Sequence, residues 1–133
     1  MSGQKKEQPI AASAGRGKHR VYAAVQILGN DILLSIWGGT MPHIGSVSVT
    51  QPRPGITKPE KRSATSSVYN FIGHKDEAVA RFCAEKIAAT CQKKTVAVAG
   101  IHIDNASKAD IDAIMKNIDA LCTHILKKLR VLQ

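Results

Sequence analysis

Three short polar stretches of this chain combine glycine, histidine and hydrogen-bonding side chains. They are Gly38-Gly39-Thr40-Met41-Pro42-His43, Gly73-His74-Lys75-Asp76 and Gly100-Ile101-His102-Ile103-Asp104-Asn105. Each follows a run of β-forming residues, so each sits where a strand ends. Glycine lets the backbone approach a ligand closely, and a helix starting after Gly73-His74-Lys75 would aim free N–H groups and a partial positive charge at that place. An anionic group such as a phosphate suits it. His74 and Lys75 offer charge-assisted donors, and Thr40 and Asn105 neutral ones. Taken singly, the same residues have plainer roles, Gly38-Gly39 in a turn and Asp76, Asn105 or Ser107 as helix caps. The same combination occurring three times favours a shared binding site.

Catalytic chemistry is a second reading of these loops. His43, His74, His102 and Asp104 include metal-ligand types, but no HxH or HExxH spacing supports a metal site, and none is assigned. His74 with Asp76, or His102 with Asp104, could exchange protons with a substrate. No nucleophile stands out, because Ser46 and Ser48 lack a GxSxG context and the cysteines fall in helix stripes. His19, at the edge of the N-terminal segment, and His124, in a Lys-rich helix end, are expected to be solvated.

The elements that would carry these loops follow from periodicity. Val21 to Leu28 and Asp31 to Trp37 are β-rich runs joined by Gly29-Asn30 in a tight hairpin. Gly38-Gly39 breaks the second strand. Ile44 to Thr50 alternates strictly as a third strand, and Ser63 to Ile72 as a fourth. Between them, the Pro-rich stretch from Gln51 to Arg62 reads as an exposed loop. From Asp76 the period changes: Val79, Phe82, Cys83, Ile87 and Cys91 form a helical stripe. Thr95 to Ile103 is a fifth strand. Asp104 to Ser107 supplies caps for a last helix from Lys108, whose stripe is Ile111, Ile114, Met115, Ile118, Leu121, Cys122, Ile125 and Leu129. The order β-β-β-β-α-β-α predicts an α+β domain, a mainly antiparallel sheet with two helices packed on one face.

Composition bounds the rest. At 133 residues the chain suits one domain, read as 19–133, preceded by a flexible basic tail at 1–18 that has too few apolar residues to order itself. No apolar run approaches the roughly 20 residues of a membrane span, and no signal-peptide core follows Lys5 and Lys6, so a cytoplasmic location is expected. Cys83, Cys91 and Cys122 lack CxxC spacing and suit buried thiols in a reducing compartment. The net charge of +9 owes much to Lys5, Lys6, Arg16, Lys18 and Arg20. With two Phe, two Tyr and one Trp, and no aromatics interleaved with basic residues on a strand, nucleic acid is not the expected partner.

The runs Gly38 to Gly45, Gly73 to Glu77 and Val98 to Ala106, in this order, resemble the LpdD-like prenylated-flavin chaperones, small proteins associated with gallate-decarboxylase-type systems. The resemblance covers about residues 20–127. It implies a protein that binds prenylated flavin mononucleotide (prenylated FMN) and helps deliver it to a UbiD-type decarboxylase, without being an enzyme itself. It also implies a fold similar to the small proteasome-assembly chaperones, a sheet backed by two helices and commonly paired as a dimer, for which an unpaired sheet edge would provide a route. Carried over by position, it assigns phosphate contacts to His74 and Lys75. Close backbone approach falls to Gly39, Thr40 and Gly73, and ring or ribityl contacts to His43, His102 and Asn105. A small enzyme using the histidine loops, or a pure assembly factor without cargo, are the alternatives.

Overall fold

The computed structural model describes residues 9–71 and 77–132. Strands β1 (Ile10–Ala14), β2 (Val21–Leu28), β3 (Asp31–Gly39), β4 (Ser46–Pro54), β5 (Arg62–Asn70) and β6 (Thr95–His102) form one sheet. Helix α1 (Glu77–Cys91) precedes β6, and α2 (Lys108–Val131) ends the chain's described part. The β2–β3 hairpin turns through Gly29 at φ +63°, as its Gly-Asn pair predicts. The four strands expected in succession before the first helix do not all lie side by side. The order across the sheet is β1-β2-β3-β6-β4-β5, with β6 inserted between β3 and β4. It runs parallel to β3 and antiparallel to β4, the one parallel pairing in an otherwise antiparallel sheet. The residues of β6 explain its central place: Ala97 and Ala99 are fully buried, while Val96 and Val98 give its other face apolar side chains.

Both helices lie on one face, α1 over β4, β5 and β6, and α2 over β1 and β2. Val21, Val25, Leu34, Ile36, Ala97 and Ala99 meet Ile87, Ile118, Leu121 and Ile125 there in a single core. β4 contributes to this face in an unusual way. Its Ser46, Ser48 and Thr50 are the buried residues, whereas Val47 and Val49 point to the opposite side, Val49 at 56% exposure. Small side chains on both partners, Ala80, Ala84 and Ala88 of α1 against these hydroxyls, let helix and sheet come close. The hydroxyls are satisfied in a chain: Ser48 Oγ to Thr50 Oγ1 at 3.0 Å, Thr50 Oγ1 to Ser66 Oγ at 2.9 Å, and Ser66 Oγ donating to Glu85 Oε1 at 2.9 Å. Among the described residues, no buried side-chain polar atom lacks a partner.

α2 starts where its cap residues predict. Ser107 is the N-cap, its Oγ accepting from the Asp110 N–H at 3.1 Å while Asp110 Oδ2 accepts from the Ser107 N–H at 2.9 Å. Asp110 also takes hydrogen bonds from His19 Nε2 at 2.7 Å and Lys18 Nζ at 3.2 Å. The segment read as a tail is thus partly ordered. Residues 10–14 form β1, paired to β2, and a 3-10 turn at Gly17–His19 fastens to α2. Asn117 Nδ2 donates to the His19 carbonyl and His124 Nδ1 to the Ser13 carbonyl, so neither histidine is merely solvated. The composition of residues 10–14 concealed this, because alanine needs only a covered sheet edge to order and α2 provides it. Phe82 and Ile111, expected in the helix stripes, are exposed, being at the margins of each buried arc.

α1 and α2 meet at Cys83 and Cys122, both fully buried, where the Cys122 thiol donates to the Cys83 sulfur at 2.8 Å. That hydrogen bond, and then burial, raise the Cys83 thiol well above its ordinary range. The Pro-rich stretch is shorter as a loop than expected, because β4 runs to Pro54 and β5 starts at Arg62, pairing Pro52 with Ala64 and Pro54 with Arg62. The prolines are tolerated because β6 pairs with β4 only as far as Thr50. Among the described residues, no helix is long and apolar enough to cross a membrane.

The Asp110 junction carries a pH signature. His19 first, then the Ser107 N–H, Lys18 and the Ser107 hydroxyl hold its carboxyl well below the usual carboxylate range. A depressed folded-state value stabilises above the unfolded value, near pH 4, and the stabilisation is lost as pH falls further. Thermal unfolding across pH should therefore show Asp110→Asn less stable than the wild type at neutral pH, with the gap closing from about pH 4 downward. A gap unchanged down to about pH 2 would contradict the assignment.

Candidate functional site

The parallel pairing of β3 with β6 brings two of the three polar loops to one end of the sheet. Gly39 lies opposite His102, Ser46 opposite Ala99, and Ser46 also opposite Asn70 at the end of β5. The loop of residues 40–45 and the loop of residues 103–107 therefore leave from neighbouring strands. The chain departs from β5 beside them, where the Phe71 N–H donates to the Gly45 carbonyl at 2.9 Å. Gly73, His74 and Lys75, the third cluster, lie outside the described residues, as does Asp76.

The 40–45 loop is bonded to β6, whose end carries the other loop. Thr40 donates to the His102 carbonyl twice, through its N–H at 2.7 Å and its hydroxyl at 3.2 Å, and the Gly45 N–H donates to the Ala99 carbonyl at 2.9 Å. Two glycines make the approach possible. Gly39 has φ +78°, and a Cβ there would collide with the His102 carbonyl; a Cβ on Gly100 would collide with the carbonyl of His43. Gly39 and Thr40 thus serve first to close one loop on the other. The imidazoles of His43 and His102 meet edge to face, with centroids 6.3 Å apart and planes at 77°. His43 Nδ1 donates to the Met41 carbonyl at 3.1 Å, and His102 Nε2 to Asp104 Oδ1 at 2.8 Å. Asn105 is exposed and left-handed at φ +53°. Among the described residues, no three His, Cys, Asp or Glu side chains gather closely enough to hold a metal ion.

A further group of residues borders this end of the sheet and was not singled out as functional by sequence pattern. The face opposite the helices carries Tyr22, Leu33, Trp37, Val47, Val49, Val96, Val98 and Tyr69. Tyr22 and Trp37 stack across β2 and β3 at 6.0 Å and 14°, and the Arg20 guanidinium lies 5.2 Å from the Tyr22 ring centre. A cleft of about 410 Å³ opens on this face between Ala24, Gln26, Leu33, Ser35 and Trp37 on one side and Pro42, His43 and Ile44 on the other. The signal was present in the sequence. β2 and β3 carry large apolar side chains on both faces, yet two helices packed together cover only one side of the sheet.

Comparison with known proteins gives the chain's family and fold relatives. The profile of the prenylated flavin chaperone LpdD-like domain matches residues 15–130, nearly the whole span from the 3-10 turn to the end of α2. The chain belongs to the LpdD-like family. It is 31% identical over 112 residues to Protein LpdD of Lactiplantibacillus plantarum, covering 84% of this chain and 79% of that protein. Its fold is similar to a chain in the crystal structure of a novel chaperone complex for yeast 20S proteasome assembly. There the TM-score is 0.58 with 12% identity, over 91% of this chain and 95% of that one. An LpdD-like chain is thus a chaperone-type protein rather than an enzyme, on an α+β fold shared with a proteasome-assembly chaperone.

The backbone closure of the loops is testable in this LpdD-like chain. Gly100→Ala should force the 40–45 loop away from β6 and lower stability by roughly 1–3 kcal/mol, the usual range for overpacking. In denaturant titrations and 1H–15N spectra, the amides of Thr40, His43 and Gly45 should shift together. A Gly100→Ala protein with wild-type stability and unchanged loop amides would refute the closure.

Proposed function

We propose that this chain binds prenylated FMN at the end of the sheet where the two histidine loops meet, and helps deliver it to a UbiD-type decarboxylase. The observation that carries the reading is the junction of the Thr40–His43 and His102–Asn105 segments, two of the three stretches whose residue types suit a phosphorylated ligand. In this reading His74 and Lys75 take the phosphate, with Gly39, Thr40 and Gly73 allowing close backbone approach. His43, His102 and Asn105 line the path of the ribityl chain. The family description and the LpdD relative support the cargo. Exposure of His102 and Asp104 suits a carrier, since a site open to water binds ions weakly enough to let them go.

Two copies are proposed to pair through β5, which among the described residues has a strand neighbour on one side only. All three cysteines are free thiols, which fits a reducing compartment such as the cytoplasm.

Anaerobic native mass spectrometry with prenylated FMN, FMN and riboflavin reads cargo and pairing together. The expected species is a dimer carrying one prenylated FMN per chain, with riboflavin, which lacks the phosphate, held at least tenfold more weakly. His74→Ala with Lys75→Ala should reduce FMN to the riboflavin level, as loss of charge-assisted bonds worth about 1.5–3 kcal/mol each implies. A wild-type chain that retains none of the three flavins would end this reading.

A further inference from the structure

We propose that the cleft on the open face of the sheet holds the flavin's tricyclic ring, stacked on or beside Trp37, while the phosphate lies beyond it at the histidine loops. This rests on the binding reading above and extends it to a second set of residues, Ala24, Gln26, Ser35, Trp37 and Ile44, on strands and a loop edge that the reading leaves without a role.

Four observations carry it. The first is chemical. Among the described residues no Asp, Glu, Lys or Arg lines the cleft, so it suits an uncharged planar ring better than a phosphate. Leu33, Val98 and Ile44 give apolar walls, and Gln26 brings an amide that both donates and accepts in one plane. The pyrimidine edge of a flavin, an N–H between two carbonyls, is complementary to such an amide. The second is size: about 410 Å³ falls within the roughly 300–1,000 Å³ of small-molecule sites. The third is continuity. His43 belongs both to the cleft wall and to the junction of the loops, where its ring meets His102, so a ligand leaving the cleft past His43 enters the polar end directly. The fourth is the contrast with a second cleft on this face, about 510 Å³ between Leu28, Val49, Gln51, Ser67 and Lys94. That cleft lies toward the β2–β3 turn, far along the strands from the loops, and among the described residues has no aromatic lining residue.

The inverted alternation of β4 belongs to the same picture. Exposing Val47 and Val49 while burying Ser46, Ser48 and Thr50 gives the open face an apolar character that the helices do not use. The apolar prenyl-derived ring of the modified flavin would extend over such a surface where plain FMN does not.

Equilibrium dialysis of FMN, and anaerobically of prenylated FMN, tests the placement with two variants, each checked by thermal unfolding. Ala24→Phe fills the cleft, and Gln26→Leu removes the planar amide from an exposed position where folding is not at risk. Both should weaken flavin binding at least tenfold with the melting temperature within a few degrees of the wild type. If the wild type binds flavin and both variants bind it equally well, the ring lies elsewhere and the placement is overturned, while phosphate binding at the loops stands. If the wild type binds neither flavin, the placement and the reading on which it rests fall together. Because Trp37 is the single tryptophan, a Trp37→Leu variant adds an independent readout. It should lose affinity at least fivefold, and unchanged affinity there would count against stacking.

Discussion

The insertion of β6 between β3 and β4 is the constraint on which the rest depends. A parallel neighbour for β3 sets Gly39 against His102, and an antiparallel neighbour for β4 sets Ser46 against Ala99. Two loops far apart in sequence are thereby forced to leave the sheet side by side. Their backbones then come so close that neither Gly39 nor Gly100 can carry a Cβ, and Thr40 spends its N–H and its hydroxyl on the His102 carbonyl. The two imidazoles meet because of this closure. A rigid backbone frame under exposed polar side chains is what a binding site needs if it must recognise a ligand and still release it.

The same topology leaves the sheet with two unlike faces. Helices α1 and α2 cover one, with the burial of residues such as Leu34, Ile36, Ile118 and Ile125 stabilising it by roughly 1.5–3 kcal/mol each. On that side a line of hydroxyls runs under α1 to Glu85, each satisfied by the next, so the polar residues cost little where they are buried. The other face is largely apolar, aromatic near the loops and, among the described residues, without a helix. In the LpdD-like chain this division of labour separates the structural core from the surface available to a ligand.

Much of this frame was legible from residue pattern. The hairpin at Gly29-Asn30, the cap at Ser107, the buried thiols of Cys83 and Cys122, though not the half-buried Cys91, and both helices follow from local rules of turn chemistry, capping and period. The position of β6 does not, because strand order depends on which strands can be buried on both sides, and only the alanines of β6 hint at it. Alternation in β4 reads the same whether valines or serines face the helices, and the close packing of Ala80, Ala84 and Ala88 decides for the serines. β1 escaped detection because its alanines signal no strand until α2 covers them. Of the candidate residues, His43 and Asn105 were legible as loop residues and His102 as lying at a strand end. Tyr22 and Trp37 look like ordinary core side chains until the second face of the sheet is found uncovered.

Chemical-shift mapping of the 15N-labelled chain during titration with FMN tests the central claim most directly, that the loop junction and the open face of the sheet form one site. The expected result is a set of perturbed amides running from Ala24 and Val98 through Trp37, Gly39 and Thr40 to His43, with those of α2 at Lys116, Asp119 and Thr123 unmoved. Perturbations confined to the helical side, or none at saturating FMN, would contradict it.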